Sequence, residues 1–299
     1  MTRVAFLGLG TMGGGMAMRL AAAGFPLRVW NRSPERADAL RQTGVTIASS
    51  PRDAGADADV VISMVADDEA SRAVWTGADG ALAAATRGAL LIECSTLSPV
   101  WITELAAFAA ERGCAFLDAP VTGSKPQAAA GELLFLVGGD AAAFERAKPV
   151  LQPMSREAIH LGPIGSGARM KLVNNFVCGV QAATLAEALA FVEASGLDVG
   201  KAVTVLANGA PGSPLVKALS ARMTARDYRV LFMLSLMRKD LAYAVDEAAR
   251  YELPLETAKT ARAVFQEAID EGWGASDMSA VLESVKAHRL GGKTGGHSA

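Results

Sequence analysis

Lys171 and Asn175 stand four residues apart in the run GSGARMKLVNN, Gly165 to Asn175. On a helix that spacing sets both on one face, where both can meet one ligand. A lysine ammonium so placed can hand a proton to a carbonyl oxygen as hydride reaches the carbon, and take it back in the reverse direction. Composition alone argues the other way, because a lysine on a helix is ordinarily solvated. What singles this one out is the Asn174–Asn175 pair inside an otherwise apolar stretch, since buried amides need partners. Gly165 and Gly167, just ahead, allow the helix to approach the chain before it closely.

A site for a hydride carrier is written near the N-terminus. Val4 to Leu20 reads VAFLGLGTMGGGMAMRL: an apolar run suited to a covered parallel strand, then a glycine turn, then a helix. Gly8, Gly10 and Gly13 give the spacing G-x-G-x-x-G. Gly8 lets the chain turn off the strand, Gly10 lets the backbone approach a pyrophosphate, and Gly13 lets the helix pack on the sheet. The helix N-terminus then offers unpaired N–H groups and a positive partial charge to the phosphates. With 30 glycines in the chain the spacing alone arises by chance. Its place between a strand and a helix predicts a dinucleotide loop made of Gly8, Leu9, Gly10, Thr11, Met12 and Gly13.

About 20 residues further on, an acid at the end of the second strand would hold the ribose 2′-OH of NAD. The chain there reads Val29-Trp30-Asn31-Arg32-Ser33, without a carboxylate. Arg32 can pair with a 2′-phosphate, and Asn31 and Ser33 can donate hydrogen bonds to it. The expectation is NADP in preference to NAD. The plainer alternative is a solvent-facing arginine that opens the next helix.

These groups need a frame. After the Met12–Ala23 helix, with Gly24 as its C-cap, Leu27–Trp30 predicts the second strand and Ser33–Pro34 the start of a helix. Further strands are expected at Asp59–Val65, Ala89–Cys94, Ala115–Asp118 and Leu133–Val137, with helices at Ser98–Arg112 and Ala141–Leu151. Strand alternating with helix predicts an α/β fold, a Rossmann-type doubly wound parallel sheet. Near Gly162–Gly167 the pattern changes. Ala168–Ala194 holds no proline and only Gly179, so a helix of roughly 40 Å is expected. Further helices follow at Val199–Ala207, Val230–Tyr251, Glu256–Glu271 and Ser276–His288, with Gly209–Pro214 (GAPGSP) as a loop. The expected division is residues 1–163 as the dinucleotide-binding domain, 164–290 as an all-α domain entered through the long helix, and 291–299 as a disordered tail.

Composition narrows the classes. A net charge of −2 over 299 residues gives no global field to recruit nucleic acid or an anionic membrane. The first residues lack the apolar core of a secretory leader, and no stretch of about 18 apolar residues is free of charge. Cys94, Cys114 and Cys178 are far apart and read as buried reduced thiols; with no leader, the expectation is a cytoplasmic protein. His160, His288 and His297 give no metal-ligand spacing, so no metal is expected.

Several motifs in order resemble one family. They are GLGTMG at Gly8–Gly13, Met64-Val65-Ala66-Asp67, Ser95-Thr96, DAPVTGS at Asp118–Ser124, GSGARMKLVNN at Gly165–Asn175, and Lys239-Asp240. The chain resembles the β-hydroxyacid dehydrogenases, the 3-hydroxyisobutyrate dehydrogenase family, over nearly its whole length. Asn31-Arg32, the GSK run at Gly123–Lys125 and GAPGSP with Phe232 are most similar to its glyoxylate/succinic semialdehyde reductase branch. The resemblance implies a Rossmann domain, a helical domain that forms a homodimer or homotetramer, and an active site in the cleft between domains. It implies Lys171 as the acid/base, Asn175 as a substrate ligand, and Thr122, Gly123 and Ser124 as the grip on the substrate carboxylate. Met64 and Val65 would line the nicotinamide, Thr96 and Lys239 would contact its ribose or the phosphates, and Phe232 and Asp240 would close the pocket. Thr122 stands where the family usually has serine, and its methyl could narrow the pocket. The implied activity is NADPH-dependent reduction of a small carboxylate-bearing carbonyl such as succinic semialdehyde, glyoxylate or tartronate semialdehyde. Alternatives are 3-hydroxyisobutyrate oxidation, imine reduction, and a non-catalytic binding module; relatives of the last two kinds usually lack the lysine.

Overall fold

A computed structural model describes residues 1–291. It divides into two compact units, Met1–Lys171 and the chain from Leu172 onward. The division falls inside the long helix, a little beyond the expected boundary at 163. The tail expected to be disordered lies, Gly291 aside, outside the described residues.

The first unit is built on a sheet of nine strands. β1 (Val4–Leu7), β2 (Leu27–Trp30), β3 (Thr46–Ile47), β4 (Val60–Ser63), β5 (Leu90–Glu93) and β6 (Ala115–Asp118) pair in parallel, in the order β3-β2-β1-β4-β5-β6. The order reverses between β1 and β4, so the carboxyl ends of these strands open a crevice there. All four residues of β1 are buried. Val4 and Phe6 join one cluster with Met16, Ala17 and Leu20 of α1 (Gly13–Ala22). Ala5 and Leu7 join the opposite cluster with Trp75 of α3 (Asp68–Thr76) and Trp101 and Leu105 of α4 (Pro99–Glu111). This is the alternation of a strand covered on both faces. Each large side chain so buried contributes about 1.5–3 kcal/mol.

The far end of the sheet departs from the parallel expectation. β7 (Val121–Thr122) and β6 both pair antiparallel with β8 (Leu133–Gly139), and β9 (Ser155–Gly162) pairs parallel with its other side. A parallel neighbour needs a crossover. α6 (Ala141–Leu151) provides one between β8 and β9, whereas only the six-residue α5 (Lys125–Ala130) stands between β7 and β8. The segment after β2 is also corrected: Pro34–Thr43 is 3-10 helical, and Ser33 does not cap it through its side chain.

The helical unit is organised on α7 (Ser166–Ala194), 29 residues long. By length and composition α7 could cross a membrane, but half of its most apolar window is buried within the protein. Ala182, Leu185, Ala186 and Leu189 pack in one core with α9 (Pro214–Ala225), α10 (Leu234–Ala249), α11 (Glu256–Ala268) and α12 (Val281–Gly291). Gly179 lets α7 and α10 approach closely, since a Cβ there would lie 2.9 Å from Leu241 Cδ2. α8 (Val199–Asn208) follows α7, and no residue of it is fully buried. α9 was not foreseen, although Ser213 caps it at Val216 N–H and Pro214 takes its first turn. The helix expected over 230–251 begins only at Leu234, because Leu231 and Phe232 donate their N–H groups to Asp277 instead.

Candidate active site

The glycine loop lies at the carboxyl end of β1. Gly8 has φ +97°, and a Cβ on it would come within 2.3 Å of Met64 O. A Cβ on Gly13 would fall 1.9 Å from Gly8 O. Gly10 is different: no atom lies within 4 Å of where its Cβ would be. Its backbone faces open space, with Thr11 exposed beside it. Met12 precedes α1 without a side-chain cap, and the first turn holds no acid. That combination fits the diphosphate of a dinucleotide. Asn31, at the end of β2, accepts the Leu9 N–H at 2.7 Å and donates Nδ2 to Ser33 O at 2.9 Å. Its amide therefore braces the loop, while Arg32 beside it is exposed.

Met64 and Val65 follow β4 and are half-buried. The Val65 N–H donates to Ser95 Oγ at 2.7 Å, and the Ser95 N–H to Glu93 Oε1 at 2.9 Å. Glu93 Oε2 takes Ser71 Oγ at 2.7 Å and Trp75 Nε1 at 2.8 Å. One buried carboxylate thus ties the loops after β4 and β5 to α3, with Thr96 next in the chain. Burial raises the Glu93 pKa, and the donors from Ser95, Trp75 and Ser71 oppose the rise. In the sequence Ser95 stands out only as part of the Ser95-Thr96 motif and Glu93 not at all, because the groups they tie together lie 18 to 30 residues away.

Thr122 ends β7, and Gly123 follows with φ +124°. Ser124 is committed differently from the expected carboxylate grip. Its N–H and hydroxyl both donate to Gln127 Oε1, at 3.0 and 2.8 Å, closing a capping box on α5. The S-x-x-Q spacing was the signal for it. Thr122 and Gly123 are left as the part of that loop outside the box.

Lys171 lies in the second turn of α7 and is only 8% exposed. The start of that helix is fixed by Asp118, which accepts the Gly165 and Ala168 N–H groups at 2.8 Å each. In the helical unit, Asn175 donates Nδ2 to Asp240 Oδ2 at 2.6 Å and accepts Asn174 Nδ2 at 3.0 Å. Asp240 Oδ1 pairs with Lys239 Nζ at 3.0 Å, out of line for a hydrogen bond. Lys239 also stands 4.8 Å over the Tyr243 ring. Lys239 and Asp240 are therefore not a solvated pair: their side chains are 14% and 2% exposed. Phe232 is half-buried, its N–H held by Asp277 at 2.9 Å. Cys94 and Cys114 are buried free thiols, while Cys178 is only partly buried. Among the described residues no three His, Cys, Asp or Glu side chains could hold a metal.

Residues 3–162 match the family described as the NAD binding domain of 6-phosphogluconate dehydrogenase. Residues 165–285 match that described as NAD-binding of NADP-dependent 3-hydroxyisobutyrate dehydrogenase. The chain is similar to an NAD-dependent L-serine dehydrogenase of Pseudomonas aeruginosa, 36% identical over 94% of this chain and 97% of that one. It is 34% identical to the chloroplastic glyoxylate/succinic semialdehyde reductase 2 of Arabidopsis thaliana, over 95% of this chain and 79% of that one. Its fold matches the solved 3-hydroxyisobutyrate dehydrogenase of Mycobacterium tuberculosis with L-serine, at TM-score 0.86 and 34% identity, covering 96% and 99% of the two chains. Fold and glycine loop together define a Rossmann-type, nicotinamide-dependent oxidoreductase. The chain belongs to the β-hydroxyacid dehydrogenase family, that of 3-hydroxyisobutyrate dehydrogenase, and acts as an NAD(P)-dependent hydroxyacid dehydrogenase or reductase.

Proposed function

We propose that this enzyme is an NADP-dependent reductase of a small carbonyl acid, of the succinic semialdehyde, glyoxylate or tartronate semialdehyde class. The observation that carries the reading is the burial of Lys171, since lysine is almost never buried without a task for its charge. The bound cofactor supplies the hydride. Lys171, as its ammonium, gives the carbonyl oxygen its proton in reduction; as the free amine it takes the hydroxyl proton in oxidation. The Thr122 hydroxyl and the Gly123 N–H hold the carboxylate, and Asp240 keeps the Asn175 amide oriented for the substrate. Met64 and Val65 flank the nicotinamide, with Thr96 and Lys239 toward its ribose and phosphates. Phe232 closes the pocket. The preference for NADP rests on the absence of an acid after β2 and on the exposed Arg32. The protein is read as a cytoplasmic homodimer or homotetramer that assembles through its helical unit, with neither nucleic acid nor membrane as partner.

Matched substrates test the reading. Butyraldehyde leaves the carboxylate donors unpaired, a loss of about 1–3 kcal/mol. With NADPH, succinic semialdehyde should therefore be reduced at least about tenfold more efficiently. Equal kcat/KM for the two would remove the carboxylate grip. A second reading comes from relatives named for, or solved with, L-serine: oxidation of a β-hydroxy acid at the same residues. L-Serine with NADP and NAD belongs in the same assay.

A further inference from the structure

Asp118 is a buried carboxylate that this chemistry does not use. It ends β6 and is wholly inaccessible. Oδ1 accepts the Gly165 N–H and Oδ2 the Ala168 N–H, each at 2.8 Å. These amides flank the start of α7, where Gly165 has no side chain with which to cap it. Glycines make the room. A Cβ on Gly138 would lie 2.5 Å from Asp118 Oδ1, and one on Gly167 would lie 3.0 Å from Oδ2 and 2.1 Å from Leu136 O. Lys171 follows Ala168 by three residues, and a long helical side chain leans back over the preceding turn. That turn is the one Asp118 holds.

We propose that Asp118 is a positioning residue for Lys171: by pinning the Gly165 and Ala168 amides it fixes the first turn of α7, and with it the place at which the lysine presents its proton. The inference rests on Lys171 being the proton donor. A protonated carboxyl does not serve as well, because its O–H is a donor set against an N–H donor. Burial raises the Asp118 pKa to about 6, against the pull of the two amides and of Arg169. Arg169 faces it from α7, and from the sheet side stands Glu93, its register partner on β5, held by Ser71, Trp75 and Ser95. The sign separates positioning from folding. A carboxyl whose folded pKa lies above its unfolded one favours the folded chain when protonated. As pH falls through about 6, turnover should therefore decline while this group's contribution to stability rises.

The experiment measures kcat, KM for NADPH and melting temperature for the unmodified enzyme and Asp118→Asn, with succinic semialdehyde, from about pH 5 to about pH 9. The unmodified enzyme should lose kcat below about pH 6 without a parallel fall in melting temperature. Asp118→Asn should have kcat reduced at least about tenfold, KM for NADPH within about threefold, and no acid limb. Should the variant not fold, hydrogen-exchange protection of the Gly165 and Ala168 amides in the unmodified protein decides the matter, by falling with kcat over the same pH range. A folded variant with kcat within about threefold of the unmodified enzyme overturns the proposal, as does flat protection across that range. Lys171→Ala distinguishes the two levels. If it keeps its turnover, the proton donor is wrong and the inference falls with it. If it loses about 10²–10⁴ in kcat while Asp118→Asn does not, the inference alone fails.

Discussion

Arg32 and Asn31 are neighbours in sequence with different work. Asn31 spends its carbonyl on the Leu9 N–H and an amide hydrogen on Ser33 O, so its fixed task is the shape of the glycine loop. Arg32, exposed, is the group proposed to engage a 2′-phosphate. A charge-assisted bond is worth about 1.5–3 kcal/mol, and exposure places this one toward the lower end. Arg32→Ala should therefore raise KM for NADPH about tenfold and leave KM for NADH nearly unchanged. Steady-state titration of both cofactors checks this; equal losses with the two would show that Arg32 supports the loop and not the phosphate. At the same scale, capping commits Ser124: both of its donors serve Gln127.

Among the elements, α1 and α5 meet at Gly15. A Cβ there would stand 3.0 Å from Ala128 C and Ala129 N, backbone atoms that no rotamer change can move. Gly15→Ala should push α5 away, lower stability by about 1–3 kcal/mol, and raise KM for the carbonyl acid through the Thr122–Ser124 loop that leads into α5. Gly14→Ala meets only Leu9 O at 3.6 Å, and its melting temperature should hold or rise, since alanine suits a helix interior better by about 0.5–1 kcal/mol. Melting curves of the two variants decide it; a Gly15→Ala that melts like Gly14→Ala would show that the contact relaxes freely. Elements of this kind were legible where the signal is local. β1, its turn and α1 follow from apolar run, glycine spacing and periodicity. β9 was missed because its residues, SREAIHLG, are mostly accessible and carry no apolar run. α9 was hidden behind GAPGSP, although a serine–proline pair opens many helices. Asp118 was legible only as part of a motif. Its two amides lie 47 and 50 residues on, and no spacing rule reaches that far.

For the molecule as a whole, the helical unit leaves apolar side chains uncovered. Phe191 at the end of α7 is 72% exposed and Val205 on α8 is 68% exposed, while Val173 and Val177 on α7 are also accessible. Exposed apolar side chains of this size are candidates for an association surface. The proposed self-association predicts a dimer or tetramer by light scattering at micromolar concentration, and a shift toward smaller species in Phe191→Asp and Val205→Asp. A monomer in the unmodified protein would end that proposal. Substitutions at the exposed 3-10 segment after β2 should leave the assembly as it is.

The continuity of α7 also bears on how the gene can vary in length. Between Ala168 and Asn175 the chain is helix without a break. One codon inserted between Lys171 and Asn175 would turn every later residue by about 100° about the axis, carrying Asn175 off the side that Lys171 occupies. A deletion would turn it equally far the other way, leaving it near Lys171 but off the side that meets Asp240. Only a step of about seven codons, close to two full turns, would restore the phase. Length differences between natural variants should accordingly collect in stretches such as Gly209–Pro214 and be rare in this one.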